Sequence, residues 1–361
     1  MDLVDALHLR EPWEALKIRR IPHHRHSYWY YLGGLALFFL AIQVVTGLLL
    51  LCYYRPTPEA ANQSVRMIVS NVPFGIVIRS IHAWAANILI AIVIIHTLSV
   101  FFMKSYRTPR VILWITGIVL LLILLGFGFT GYLLPWDQTS YFATMIGTEL
   151  PREIPVVGDI LVSWFRGSKE ITGATLTRMY GLHVALLPLL ALAFAATHVA
   201  ISTLLGRAVP AGAKVKRETR FIPDYLLGES IIWLIGLAIL LVVAVLFPWP
   251  LGPAYDLAKP SEPPAGVHPA WYFMFLYQTL KYLPNWATLW FYLIILLFWT
   301  LVPWLARVWK SWLLTGIGII LIAGFGILTT LAYFSVAQEK AGAKIGQISP
   351  TILPDSGTTG Q

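Results

Sequence analysis

Seven stretches of about 20 predominantly apolar residues recur along this 361-residue chain, at 32–53, 76–103, 112–134, 181–205, 230–249, 286–306 and 312–334. At about 1.5 Å per helical residue, each is long enough to cross the roughly 30 Å of hydrocarbon in a bilayer. A backbone in that solvent must satisfy its own hydrogen bonds, so each stretch is expected to be a helix. The expected fold class is an all-α integral membrane protein with seven transmembrane helices, a four-helix bundle followed by three more. Composition agrees, with 58% hydrophobic and 12% charged residues, whereas soluble domains carry about 25% charged residues. A soluble enzyme and a disordered chain are excluded on that ground. The single cysteine, Cys52, excludes a disulfide scaffold and is expected to be a small buried hydrophobe.

The formal charge of +9 could suggest a nucleic-acid partner, but no basic run with interleaved aromatics exists to bind one. Sorting charges by side is more informative. The N-terminus and the links after the second, fourth and sixth spans hold 15 basic and 7 acidic residues, and the other side holds 11 and 10. The basic side is expected to be cytoplasmic, which places the N-terminus inside, most simply in a bacterial inner membrane. Residues 1–25 lack the apolar core of a cleavable signal. The expected organisation is an N-terminal segment 1–31, a bundle 32–206, a linker 207–229, a three-helix domain 230–335 and a tail 336–361. The links 135–180 and 250–285 are long and rich in Pro and Gly, which marks them as functional.

Nine histidines occur, and His8, His23, His24, His26 and His268 lie outside the spans. The other four lie within them: His82 and His96 in the second, His183 and His198 in the fourth. Fourteen residues of helix advance about 21 Å and return a side chain to within about 40° of its starting face. Each helix therefore presents two imidazoles on nearly one face, His82 level with His183 and His96 level with His198. Ionisable groups at that depth are expensive and point to function. A lone histidine reads equally well as a hydrogen-bond bridge between helices. Two facing pairs are what the irons of two axially ligated b-type hemes require. Gly33 and Gly47 in the first span, and Gly117 and Gly131 in the third, are also fourteen apart and leave room for a flat macrocycle. Arg79 and Arg178 lie where propionates would need cations.

These residues carry a resemblance. Ile78-Arg79-Ser80-Ile81-His82 with His96, Gly131-Tyr132-Leu133-Leu134-Pro135-Trp136-Asp137-Gln138, Ile154-Pro155-Val156-Val157-Gly158 and Leu176-Thr177-Arg178-Met179-Tyr180-Gly181-Leu182-His183 resemble cytochrome b of the quinol:cytochrome c and cytochrome b6f complexes. The unequal histidine spacing and Trp136-Asp137-Gln138 resemble the b6 branch, with its separate small subunit fused on as spans five to seven. The resemblance implies a low-potential heme on His82 and His183 and a higher-potential heme on His96 and His198. It implies quinol oxidation at an outer pocket and quinone reduction at an inner one, with menaquinone or a similar quinone as substrate. It further implies a Rieske iron–sulfur partner, a c-type cytochrome or other high-potential acceptor, and a homodimer.

Two positions depart from the family. Pro269-Ala270-Trp271-Tyr272 stands where the family has Pro-Glu-Trp-Tyr, and an alanine methyl cannot carry a proton. His268 and Glu262, then Glu149 and Glu153, are the candidate acceptors beside Tyr132 and Tyr272, whose plainer role is that of interface aromatics. At the start of the first span Tyr31 replaces the cysteine that holds a covalent heme in the b6 branch, so no c-type heme is expected. Glu229 is the candidate proton donor of the inner pocket, with Asp224 and Arg207 behind it. Two rival readings stand: a diheme anchor wiring a peripheral dehydrogenase or hydrogenase to the quinone pool, and a seven-span transporter with a histidine relay.

Overall fold

The computed structural model describes residues 18–210 and 212–348. His8, the rest of 1–17 and the end of the tail, 349–361, lie outside the described residues. Among the described residues the principal helices are α1 Tyr31–Leu51, α2 Ala61–Asn71, α3 Gly75–Phe102, α4 Val111–Leu133, α5 Gln138–Glu149, α6 Gly158–Arg166, α7 Gly173–Leu205, α8 Leu226–Leu246, α9 Met274–Leu280, α10 Asn285–Val308 and α11 Ser311–Ile348. Seven of them, α1, α3, α4, α7, α8, α10 and α11, are long and apolar enough to cross a membrane.

Helix ends depart from the apolar stretches where polar turns continue the helix. α7 starts at Gly173 because Thr172 and Thr175 form a capping box that satisfies the first free N–H groups. α11 runs to Ile348, so the boundary expected at 335/336 falls inside a helix. The chain is also not wholly helical. β1 (Arg20–His23) pairs antiparallel with β2 (Arg217–Arg220), Ile21 opposite Thr219, and ties the N-terminal segment to the 207–229 linker. Four-residue, arginine-rich strands carry no apolar alternation to betray them.

α1 packs along α3 and α7 along α4, and these four helices make the histidine-bearing bundle. α8 lies against both α1 and α3, with Phe39, Leu89, Ile90, Leu240 and Tyr272 in one buried cluster. On the face opposite β1, a second cluster of Leu133, Trp136, Tyr141, Phe142, Leu176 and Tyr255 seats the short helices α5 and α6. Asp137 caps α5 by accepting from Ser140 N at 2.8 Å and also takes Gly252 N at 3.2 Å, which pins the 250–285 link to this cluster. Cys52 corrects the expectation of burial. It is exposed at the end of α1, beyond the packed stripe and beside exposed Leu48, Leu49 and Leu51, with its thiol donating to Leu48 O at 3.3 Å.

Candidate functional site: two histidine levels in the bundle

His82 on α3 faces His183 on α7 with ring centroids 6.3 Å apart and planes at 73°. Two imidazoles on opposite sides of one metal, each at a metal–nitrogen distance of about 2 Å, put their centroids about 6 Å apart. His183 lies in a π-helical turn, Leu182–Leu186, which inserts one residue into α7. That insertion absorbs the difference between the fifteen-residue spacing of His183 and His198 and the fourteen of His82 and His96.

All four rings rest their Cε1 edge on a glycine of α1 or α4. A Cβ would come within 2.6 Å of Cε1 of His183 at Gly131, 3.3 Å of His82 at Gly47, 3.4 Å of His198 at Gly117 and 3.7 Å of His96 at Gly33. The glycines expected to clear a macrocycle are thus placed against the imidazoles themselves.

Three rings are anchored on their Nδ1 side by a threonine that precedes the glycine. Thr46 lies 2.9 Å from His82 Nδ1, Thr116 2.9 Å from His198 Nδ1 and Thr130 3.1 Å from His183 Nδ1. Each hydroxyl donates its one proton to a carbonyl a turn back, Ile42, Ile112 or Gly126, at 2.7, 2.9 and 2.8 Å. It must then accept from Nδ1–H, which leaves Nε2 as the basic nitrogen. Sequence reasoning passed over these threonines, although the repeated Thr-Gly was the available signal. Among the described residues no cluster of three or more His, Cys, Asp or Glu side chains gathers. A metal between His82 and His183 would draw two ligands from the chain, and a flat macrocycle would supply the rest. The residues fit heme.

Both arginines donate to backbone carbonyls, Arg79 from a buried position and Arg178 from an exposed one. Arg79 donates to Trp249 O at 2.6 Å and Pro250 O at 2.8 Å, and Arg178 to Ser163 O at 2.8 Å and Trp164 O at 2.5 Å.

On the α5 face, Tyr132 donates to His268 O at 3.2 Å, and Trp271 Nε1 to Asn87 Oδ1 at 3.0 Å. Tyr272, 6% exposed, presses its hydroxyl against α4 at Gly128. Burial pushes its phenol well above the usual range, and neighbouring Tyr132 adds to that, so Tyr272 stays a proton-bearing donor. Pro269 and Ala270 lead into the 3-10 turn Trp271–Phe273, with Ala270 packed on the first buried cluster. His268 Nδ1 lies 2.9 Å from Pro269 O, so it carries the proton and Nε2 is free to accept one. Glu262 is exposed on the link. Glu149 is ion-paired with Arg152 and, at 2.7 Å, with buried Arg166, and Glu153 is half-buried in the next turn.

On the N-terminal face Glu229 is 5% exposed, its Oε1 without a hydrogen-bond partner and pressed on α1 at Gly34. Tyr31 stacks on Tyr225 with centroids 4.8 Å apart. Arg207 lies over the Tyr225 ring at 5.4 Å and donates to its hydroxyl at 3.2 Å, while Asp224 is exposed.

Imidazoles facing each other across a bundle of membrane-length helices define a helical membrane protein with a paired-histidine site that fits heme. The family model described as cytochrome b/b6/petB matches residues 19–204, and the chain belongs to the cytochrome b/b6 family. The "cytochrome bc complex cytochrome b subunit" of Chlorobaculum thiosulfatiphilum is 48% identical over 272 residues, 74% of this chain and 63% of that protein, so the match spans less than two thirds of that relative. "Cytochrome b6" of Heliobacterium mobile is 44% identical over 190 residues, 53% of this chain and 89% of that one. A solved structure titled "Hyperthermophilic respiratory Complex III" superposes with a TM-score of 0.79 at 28% identity, covering 92% of this chain and 91% of its own.

Proposed function

We propose that this chain is the membrane subunit of a quinol-oxidising oxidoreductase, carrying electrons between quinone pockets on opposite faces and coupling their passage to proton translocation. The observation that carries the reading is the two-level array of facing imidazoles, each seated on a glycine. Bound at those levels, two b-type hemes would supply one-electron carriage, the outer on His82 and His183 and the inner on His96 and His198. The charge asymmetry supports a cytoplasmic N-terminus, which makes the α5 face the outer one. Activity on this reading needs a Rieske iron–sulfur protein, a c-type cytochrome or other high-potential acceptor, and a membrane quinone such as menaquinone, in a dimeric complex.

At the outer pocket Tyr132, Pro269, Ala270, Trp271 and Tyr272 line the site, and Tyr272 donates a hydrogen bond to a quinone oxygen. With no carboxylate at 270, His268 accepts the quinol proton at Nε2, because Pro269 O holds its other nitrogen as a donor. Glu262, exposed on the same link, passes the proton to water. At the inner pocket Glu229, its Oε1 unpartnered, delivers a proton to the reduced quinone.

An oxidant pulse tests this in membranes holding the intact complex, with quinol supplied and the inner pocket blocked. Transient extra reduction at the b-heme absorbance supports it, and simple oxidation of the band overturns it. Ala270 favours a second reading, in which the hemes wire a peripheral dehydrogenase or hydrogenase to the quinone pool. That reading predicts the second outcome.

A further inference from the structure

The four ring sites are alike except in one respect. Thr46-Gly47, Thr116-Gly117 and Thr130-Gly131 each offer a hydroxyl beside the glycine, but the fourth site reads Leu32-Gly33. Leu32 lies fourteen residues before Thr46 on α1, on nearly the same helix face, and packs among apolar neighbours. His96 rests Cε1 on Gly33 as its counterparts do, so its ring is presented in the same way, yet its buried Nδ1 has no hydrogen-bond partner. The outer level therefore has both imidazoles anchored and the inner level only one.

A hydrogen bond from Nδ1–H to an acceptor pushes electron density toward Nε2 and makes the imidazole a stronger donor to a metal. A stronger donor favours the ferric over the ferrous state and so lowers a heme's reduction potential. We infer that Leu32, by withholding that acceptor from His96, raises the potential of the inner heme relative to the outer one, so that electron transfer from the outer to the inner face runs downhill. Leu32 is a positioning residue in this scheme. It touches neither metal nor quinone and acts through the His96 ring.

The inference rests on the heme assignment above, and one titration separates the two. The intact complex in native membranes is titrated potentiometrically at the b-heme absorbance, and the midpoints of the two components are read. Leu32→Thr supplies a hydroxyl beside Gly33, as at the other three sites. The inner midpoint is expected to fall and the outer to stay, changing the equilibrium constant between the hemes by about tenfold, or about 59 mV for a one-electron couple. Thr46→Val, close to isosteric, removes the anchor of His82 and is expected to raise the outer midpoint. Heme spectra retained with neither midpoint moved would overturn the inference while leaving the heme assignment standing. Absence of b-heme absorbance from the unaltered complex would overturn the assignment itself. Should Leu32→Thr lose the inner heme, Thr46→Val decides alone, and an unmoved outer midpoint counts against the inference.

Discussion

His183 stands level with His82 across the bundle, 6.3 Å between ring centroids, because the π-helical turn that contains it takes up one surplus residue of α7. Inserting one alanine after Ala191, in the α-helical stretch between the turn and His198, would add a residue the turn does not take up and swing His183 about 100° relative to His198. The expected outcome is loss of one b-heme component with the other retained, read from the reduced-minus-oxidised spectrum and from heme per polypeptide. Retention of both components would mean that the turn does not set the level.

Single histidine substitutions should be separable in the same spectrum. His96→Ala or His198→Ala is expected to remove the inner component only, and His82→Ala or His183→Ala the outer. A transporter with a histidine relay would have no such absorbance to lose.

Graded crowding is expected at the glycines. Gly131→Ala places a methyl within 2.6 Å of the His183 ring, where the neighbour must move, whereas Gly33→Ala meets His96 at an ordinary 3.7 Å. Overpacking of that kind costs about 1–3 kcal/mol. Gly131→Ala should therefore lower the thermal midpoint of heme loss by several degrees and Gly33→Ala should hardly move it.

For the outer pocket, His268→Gln keeps the ring volume roughly but removes the proton acceptor. Oxidant-induced heme reduction should slow by about 100-fold, the low end of general-base contributions. Glu149→Gln should instead loosen the 135–180 link, because buried Arg166 loses its carboxylate at 2.7 Å, and should act on stability before rate. Equal slowing by both would remove His268 from its special role.

The N-terminal face should be pH-sensitive. His24 is buried, and Tyr30, whose proton goes to Ala208 O at 2.6 Å, must accept from its Nε2 at 2.6 Å, while its Nδ1 accepts from His26 N at 3.1 Å. Burial, and then the nearby His26 and His23, hold its pKa below the ordinary histidine value. A depressed pKa means that the stabilisation is present above the unfolded value, about 6.5, and is lost as pH falls through the folded one. Protection factors at residues 20–30, which correct for the slower intrinsic exchange in acid, should fall at pH 5 relative to pH 7.5, and His24→Gln should flatten that difference.

The number of spans, the histidine pairs and the membrane class were legible because apolar length and helical spacing are properties of consecutive residues. The amphipathic α2, the capped start of α7 and the strands β1 and β2 were not, since short polar elements owe their form to partners far along the chain. The threonine anchors of the rings were also hidden: Thr46 and His82 are 36 residues apart, and only the packing of α1 on α3 makes them neighbours.

From sequence alone came which ionisable side chains lie within the apolar helices and at what height along them, because one turn of helix converts residue number into height and angle. The tertiary structure decided which edge of each imidazole meets a glycine, which nitrogen is held as a donor, and that His96 alone among the four lacks an anchor. Those are relations between helices, and their hydrogen bonds depend on tenths of an ångström that spacing along one helix does not carry.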